Sequence, residues 1–273
     1  MSMDSLFRVE GQVVLVSGAS RGIGRAIAAG FAQRGAKVII TGRDPSSLEK
    51  TAAEMSTDGQ KVFPFVCNVA QPAATARMVE QLMDRFGRID TLVNCAGVNV
   101  RRRAEDYDEA TYDYITNINI RGTFFLTTAV GRYMKEARGG AVINVDSINS
   151  HTPLKYVSVY AMSKAALREM TKCLSMEWGP YGIRVNAIGP GFTLTDLGRR
   201  LWENPALEAW RQANTPLGRI GLPEDMVGAC IFLASPAASY ITGQVLYIDG
   251  GTLSGLFWPL EVESAESPSL ESS

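Results

Sequence analysis

VVLVSGASRGIG, residues 13–24, decides how the rest of the chain is read. Four apolar β-formers, Val13-Val14-Leu15-Val16, run straight into a glycine-rich turn. The run is uniformly apolar rather than alternating, as in a strand buried on both faces of a parallel sheet. A helix is expected to begin near Gly22. Gly18, Gly22 and Gly24 carry no Cβ to keep backbone N–H groups from an anion, and a helix N-terminus adds a favourable dipole. The expected ligand is a dinucleotide pyrophosphate, with Ser20, Arg21 and Ile23 completing the turn around it.

The spacing is G-x-x-x-G-x-G, a variant of G-x-G-x-x-G, and a glycine-rich loop alone is weak evidence. Gly18-Ala19-Ser20-Arg21-Gly22 also spells G-x-S-x-G, the nucleophile elbow of a hydrolase. Position argues against that second pattern. An elbow serine follows several strands that have already built a sheet, whereas only a short segment precedes Val13 here.

A chain of 273 residues can build one doubly wound sheet. With 27 basic against 28 acidic residues the formal net charge is −1, so nothing advertises nucleic acid or an anionic membrane. Small-molecule partners are expected. Cys67, Cys95, Cys173 and Cys230 form no C-x-x-C pair and read as reduced and buried. No signal-peptide core or membrane-span pattern is present, and the expected setting is the cytoplasm. No metal-ligand constellation is seen.

The remaining chain alternates strand and helix. Strands are expected at residues 37–41, 62–66, 91–94, 141–145, 184–188 and 244–248, six that follow the first. Between them come a helix carrying Ile27, Ala28 and Phe31 and ending at Gly35, a second opened by Asp44-Pro45, and a third over 71–86. Long helices follow at 109–137 and 157–178, and a short one at 223–233. This alternation means a seven-stranded parallel sheet with helices on both faces, a Rossmann-type α/β fold in one domain over residues 1–255. Residues 261–273 are rich in Glu and Ser, so 256–273 reads as a partly disordered tail. Leu256-Phe257-Trp258, at its start, reads as packing material.

Tyr160 and Lys164 stand four apart in a helix-forming run and so project from one face. Phenols ordinarily titrate near about 10, and a neighbouring ammonium favours the phenolate, which suits general acid/base work. Such a pair arises by chance often enough to need context. Ser147 supplies it, because it follows the fifth strand at the end where open α/β sheets bind ligands.

The glycine turn, Asn94-Cys95-Ala96-Gly97, Asn119, Ser147, Tyr160 with Lys164, Pro190-Gly191 and Asp249-Gly250-Gly251 together resemble the short-chain dehydrogenase/reductase family over about residues 9–253. The resemblance implies that Tyr160 donates and accepts the proton and that Ser147 orients the substrate oxygen. It also implies that Lys164 favours the Tyr160 phenolate while holding the nicotinamide-ribose hydroxyls, and that Asn119 completes a water-linked proton relay. Asn94, Ala96 and Gly97 would border the cofactor, and Pro190, Gly191 and Thr193 would position the nicotinamide. Family members commonly form homotetramers or homodimers through the two long helices. Two positions depart from the pattern. Cys95 stands where a second asparagine is common, and Asn68, beside Val69, stands where an Asp is common. The Asn68 amide oxygen can still accept from an adenine amino group.

Cofactor choice follows from charge. NAD sites place an acid about 20 residues past the glycines, and NADP sites an arginine. Gly42 occupies the acid's place, Arg43 follows it, and Arg21 supplies a second guanidinium for a 2′-phosphate. Asp44, one residue on, is the counter-argument for NAD. NADP(H) is therefore expected.

The substrate is less constrained. Arg101-Arg102-Arg103 follow the fourth strand in a loop similar to that of gluconate 5-dehydrogenases and related sugar-acid reductases. That likeness implies that Arg101 meets an anionic substrate beside Ser147 and Tyr160. A 3-oxoacyl-carrier-protein reductase, a tropinone-reductase-like enzyme and an idle nucleotide-binding regulator are the alternatives. The intact Ser147, Tyr160 and Lys164 argue against the last. His151, the only histidine, reads as a loop residue, and residues 193–216, with Trp202 and Trp210, as an apolar cover.

Overall fold

The computed structural model describes residues 5–57, 61–195 and 199–255. The tail and Leu256-Phe257-Trp258 lie outside the described residues. Strands β1 (Val13–Ser17), β2 (Lys37–Gly42), β3 (Val62–Val66), β4 (Thr91–Asn94), β5 (Gly140–Val145), β6 (Ile183–Pro190) and β7 (Val245–Ile248) form one sheet in the order β3-β2-β1-β4-β5-β6-β7. Every neighbouring pair is parallel. The main helices are α1 (Gly22–Ala32), α2 (Pro45–Met55), α3 (Pro72–Phe86), α4 (Glu109–Thr116), α5 (Thr123–Ala137), α6 (Ser158–Trp178), α7 (Arg199–Trp202), α8 (Pro205–Ala213) and α9 (Val227–Ala234).

The opening run behaves as a doubly buried strand, with all five residues of β1 buried. Because side chains alternate along a strand, Val14 and Val16 pack with Ile27 and Phe31 of α1 on one face. Val13 and Leu15 pack with Leu82 of α3 and Leu126 and Val130 of α5 on the other. The sheet order reverses direction at β1, between β2 and β4, and such a switch point leaves a crevice outside the carboxyl ends of the strands.

Three expectations need correction. Residues 109–137 are not one helix: α4 and α5 are joined by a π-helical stretch, Asn117–Gly122. The widened turn carries the buried Asn119 inward, where its carboxamide accepts from Val98 N–H and donates to Val98 C=O, both at 2.9 Å. Gly122 permits the close pass, since a Cβ there would lie 2.6 Å from Val69 O. The expected helix at 223–233 begins as a 3-10 turn over Pro223–Met226 before α9. Lastly, the four cysteines are free, but Cys173 is exposed and Cys95 only half-buried.

Candidate active site

A cleft of about 480 Å³ opens at the carboxyl ends of the central strands. Gly18, Ser20, Arg21, Gly22, Ile23 and Gly24 line its floor. Gly18 has φ +68°, and a Cβ on it would lie 2.6 Å from Ala96 Cα. Gly24 passes close to the same turn, where a Cβ would lie 2.4 Å from Gly18 O. The turn is held to β4 by Ser17, whose hydroxyl oxygen accepts from Cys95 N–H at 3.2 Å and Ala96 N–H at 3.3 Å. α1 starts at Gly22 with no side-chain cap and no acidic residue in its first turn. Helix-terminal N–H groups left in this way are the donors an anion needs, so the residues fit a dinucleotide phosphate.

At the end of β2, Gly42 and Arg43 line the cleft with Arg21. Asp44 does not. Its carboxylate caps α2, accepting from Ser47 N–H at 2.7 Å and from the Ser46 hydroxyl at 3.2 Å. Asn68 and Val69 line the cleft as well, and the Asn68 amide oxygen accepts from Ala70 N–H at 3.1 Å, an Asx turn that leaves its second lone pair.

Ser147, Tyr160 and Lys164 share the opposite wall with Pro190, Gly191 and Thr193. Lys164 is buried, donates to Val145 C=O at 2.6 Å and holds its ammonium 5.7 Å from the centre of the Tyr160 ring. Two of its three protons remain for other partners. Ser147 leaves β5 in extended backbone and caps a short 3-10 turn, Ile148–Ser150. Ala96, Gly97 and Arg101 complete the lining from the β4 side. Gly97 lies between Asn119 and Lys164, and a Cβ there would stand in ordinary contact with Asn119 Oδ1 at 3.5 Å and Lys164 Nζ at 3.7 Å.

Two sequence-derived candidates stand behind the wall. The Asn119 side chain is committed to Val98 and, through its amide nitrogen, to Ser163 at 2.9 Å. Asn94 donates to Thr127 and Asn144, and Asn144 in turn to Thr171, at 2.8–2.9 Å. That buried chain ties β4 and β5 to α5 and α6. His151 is exposed, its ring edge-on to Tyr247, and does not line the cleft that Ser20 lines. The elbow reading therefore has no base.

Sequence reasoning missed Asp146 and Asn149, which flank Ser147 and line the cleft. Their place beside the end of β5 was the available signal. Asp146 is buried and accepts from the Ser150 hydroxyl at 2.5 Å. Burial pushes its carboxyl up to about 6, against the opposing pull of that hydrogen bond and of the Lys164 and Arg168 charges. Above the cleft, Phe192 packs edge-on against Trp202 and Trp210 at 5.4 and 5.6 Å between ring centres. Phe192 and Trp202 also line the cleft, so an aromatic cover lies over this end. Among the described residues there is no cluster able to hold a metal ion, and no helix is long and apolar enough to cross a membrane.

Residues 18–252 match a family model described as enoyl-(acyl carrier protein) reductase, a group of short-chain dehydrogenases/reductases. The chain is 39% identical over 251 residues to D-threitol dehydrogenase of Mycolicibacterium smegmatis, covering 92% of this chain and 96% of the relative. It is 39% identical over 249 residues to a 3-oxoacyl-acyl-carrier-protein reductase of Thermotoga maritima, covering 89% and 98%. The structure is similar, with a TM-score of 0.89 and 33% identity, to a gluconate 5-dehydrogenase from Burkholderia cenocepacia J2315 in complex with NADP and tartrate, covering 92% and 99%.

Proposed function

The chain belongs to the short-chain dehydrogenase/reductase family of oxidoreductases, and from that premise we propose that it moves a hydride between NADP(H) and a secondary alcohol or ketone of a polyol or sugar acid. The observation that carries this reading is the single cleft shared by Ser147, Tyr160, Lys164 and the uncapped start of α1. NADP is favoured over NAD by two lining arginines, Arg21 and Arg43, and by the commitment of Asp44 to its helix cap. The NADP in the Burkholderia cenocepacia structure is in keeping with that choice.

The nicotinamide supplies or takes the hydride when the cofactor is bound. In the reducing direction Tyr160 gives its phenolic proton to the substrate oxygen, while the Ser147 hydroxyl donates a hydrogen bond to the same atom. The Lys164 ammonium, anchored on Val145 beside the Tyr160 ring, offers its remaining protons to ribose hydroxyls. Asn119, beside Lys164 at Gly97, completes a water-linked path by which the proton is replaced. In oxidation the same groups run in reverse. Arg101 takes the carboxylate of an acidic substrate, as the tartrate of the structural neighbour suggests. A 3-oxoacyl thioester is the second reading, favoured by the Thermotoga maritima relative.

Exposed Phe124, Phe125, Met162 and Met176 on α5 and α6 support self-association as a homotetramer or homodimer. Four free cysteines support a reducing, cytoplasmic setting. The test is Tyr160→Phe, assayed with gluconate, D-threitol and an acetoacetyl thioester in the presence of NADP(H). Turnover should fall about a thousandfold while NADPH still binds. Unchanged turnover would remove Tyr160 from the chemistry, and no turnover of any of the three by the native protein would defeat the substrate reading.

A further inference from the structure

The hydroxyl of Ser147 is held from behind. Its oxygen accepts from the backbone N–H of Asn149 at 3.1 Å and from the side-chain Nδ2 of the same residue at 3.2 Å. A hydroxyl offers one proton and two lone pairs, so both lone pairs are engaged and only the proton is left for the cleft. The amide cannot turn round, because its Oδ1 accepts from Leu154 N–H at 2.9 Å; a flipped amide would oppose N–H to N–H there and lose the donor at Ser147. The short turn that carries Asn149 is itself fastened. The Ser150 backbone N–H donates to Ser147 C=O at 3.0 Å and its hydroxyl donates to Asp146, and Arg168 donates to Ser150 C=O at 2.8 Å.

We infer that Asn149 is a positioning residue that sets the polarity of the Ser147 hydroxyl, so that Ser147 acts on the substrate oxygen only as a donor. The inference rests on the reading of Ser147 given above. Its consequence is a division of labour between the two hydroxyls. A ketone oxygen accepts from both Ser147 and Tyr160. An alcohol accepts from Ser147 and has one place to send its own proton, the Tyr160 phenolate. A serine free to rotate could take that proton as an acceptor and hold the alcohol in a pose that leads nowhere.

Asn149→Asp is nearly isosteric, keeps an acceptor for Leu154 N–H and removes the donor to Ser147. Its carboxylate draws the Ser147 proton away from the substrate. On the substrate turned over fastest among gluconate, D-threitol and an acetoacetyl thioester, kcat should fall about thirtyfold, with thermal stability and NADPH affinity close to native. A new charge could act in other ways, so the deciding measurement is the cycle with Ser147→Ala. With the serine hydroxyl gone, Asn149→Asp should cost less than about twofold more, because groups that act through one another are not additive. A full penalty in the Ser147→Ala background, or none in the native background, overturns the inference while leaving the reading of Ser147 intact. Native turnover in Ser147→Ala alone would instead overturn that reading, and the inference with it.

Discussion

The first two strand-to-helix turns border the same cleft and treat the positive end of a helix in opposite ways. After β1, α1 begins with no side-chain cap and no acidic residue in its first turn. After β2, Asp44 caps α2 and Pro45 occupies its first turn, where a missing N–H costs nothing. A helix that satisfies its own first turn has nothing to offer an anion; one that does not must find its partner elsewhere. Between these two turns the difference is the capping side chain, present at α2 and absent at α1.

The strongest way to break the first turn is Gly18→Ala. The residue would sit at φ +68° with its Cβ 2.6 Å from the Ala96 backbone, combining left-handed strain with displacement of the β4 end. A loss of about 4 kcal/mol in urea unfolding is expected, together with weakened NADPH binding; a native-like variant would show that the turn can open.

Asp146, in the turn after β5, sharpens the contrast between an exposed capping carboxylate and a buried one. Its folded pKa of about 6 stands above the ordinary 3.8. Between those values the native state binds the proton more tightly than the unfolded chain does. The contribution of this group to stability is therefore present below about pH 4 and lost as pH rises to about 6, by about 3 kcal/mol. Asp146→Asn should remove that decline, read as the difference between variant and native unfolding free energies across this window. Parallel profiles would contradict the burial argument.

Arg21→Ala with Arg43→Ala tests what the uncapped turn holds. Apparent NADPH affinity should drop about thirtyfold, the scale of lost charge-assisted hydrogen bonds, with NADH use unchanged; an equal loss with both cofactors would place the arginines elsewhere than at the 2′-phosphate. The smallest effect is expected for Asp44→Ala. It should cost about 1 kcal/mol of stability and leave the ratio of NADPH to NADH use as it was. A fall in NADH use alone would make Asp44 a ribose acceptor after all.

The elements were legible where the signal is local. Glycine spacing, apolar runs and the four-residue step from Tyr160 to Lys164 each follow from helix and strand geometry, and all seven strands stand where they were expected to within a few residues, whereas the helices α7 and α8 were not foreseen. Asn94 shows the limit. Its neighbours Ala96 and Gly97 line the cleft, yet its own side chain turns into the core to reach Thr127 and Asn144. Those partners lie 33 and 50 residues away, and no pattern around position 94 announces them. Ser17 gave no signal either, because its two bonds run to the end of another strand. The apolar spacing over 109–137 was real but could not reveal a π-helical stretch, whose cause lies in Val98 and Val69.

By itself the sequence determined the alternation of strand and helix, the buried parallel sheet, the glycine-rich start of α1 and the placing of Tyr160 and Lys164 on one face of α6. Those features depend on neighbours within a turn or two, where chain geometry leaves few choices. Only the tertiary structure decided which polar groups serve the cleft and which hold it together: Asn94 as a tie, Asn119 swung inward, Asp44 spent on a cap, Asp146 buried beside Lys164, Asn149 set behind Ser147. The physical reason is that every buried donor and acceptor needs a partner. Which ones are left to face a ligand is known only when all the others have been paired.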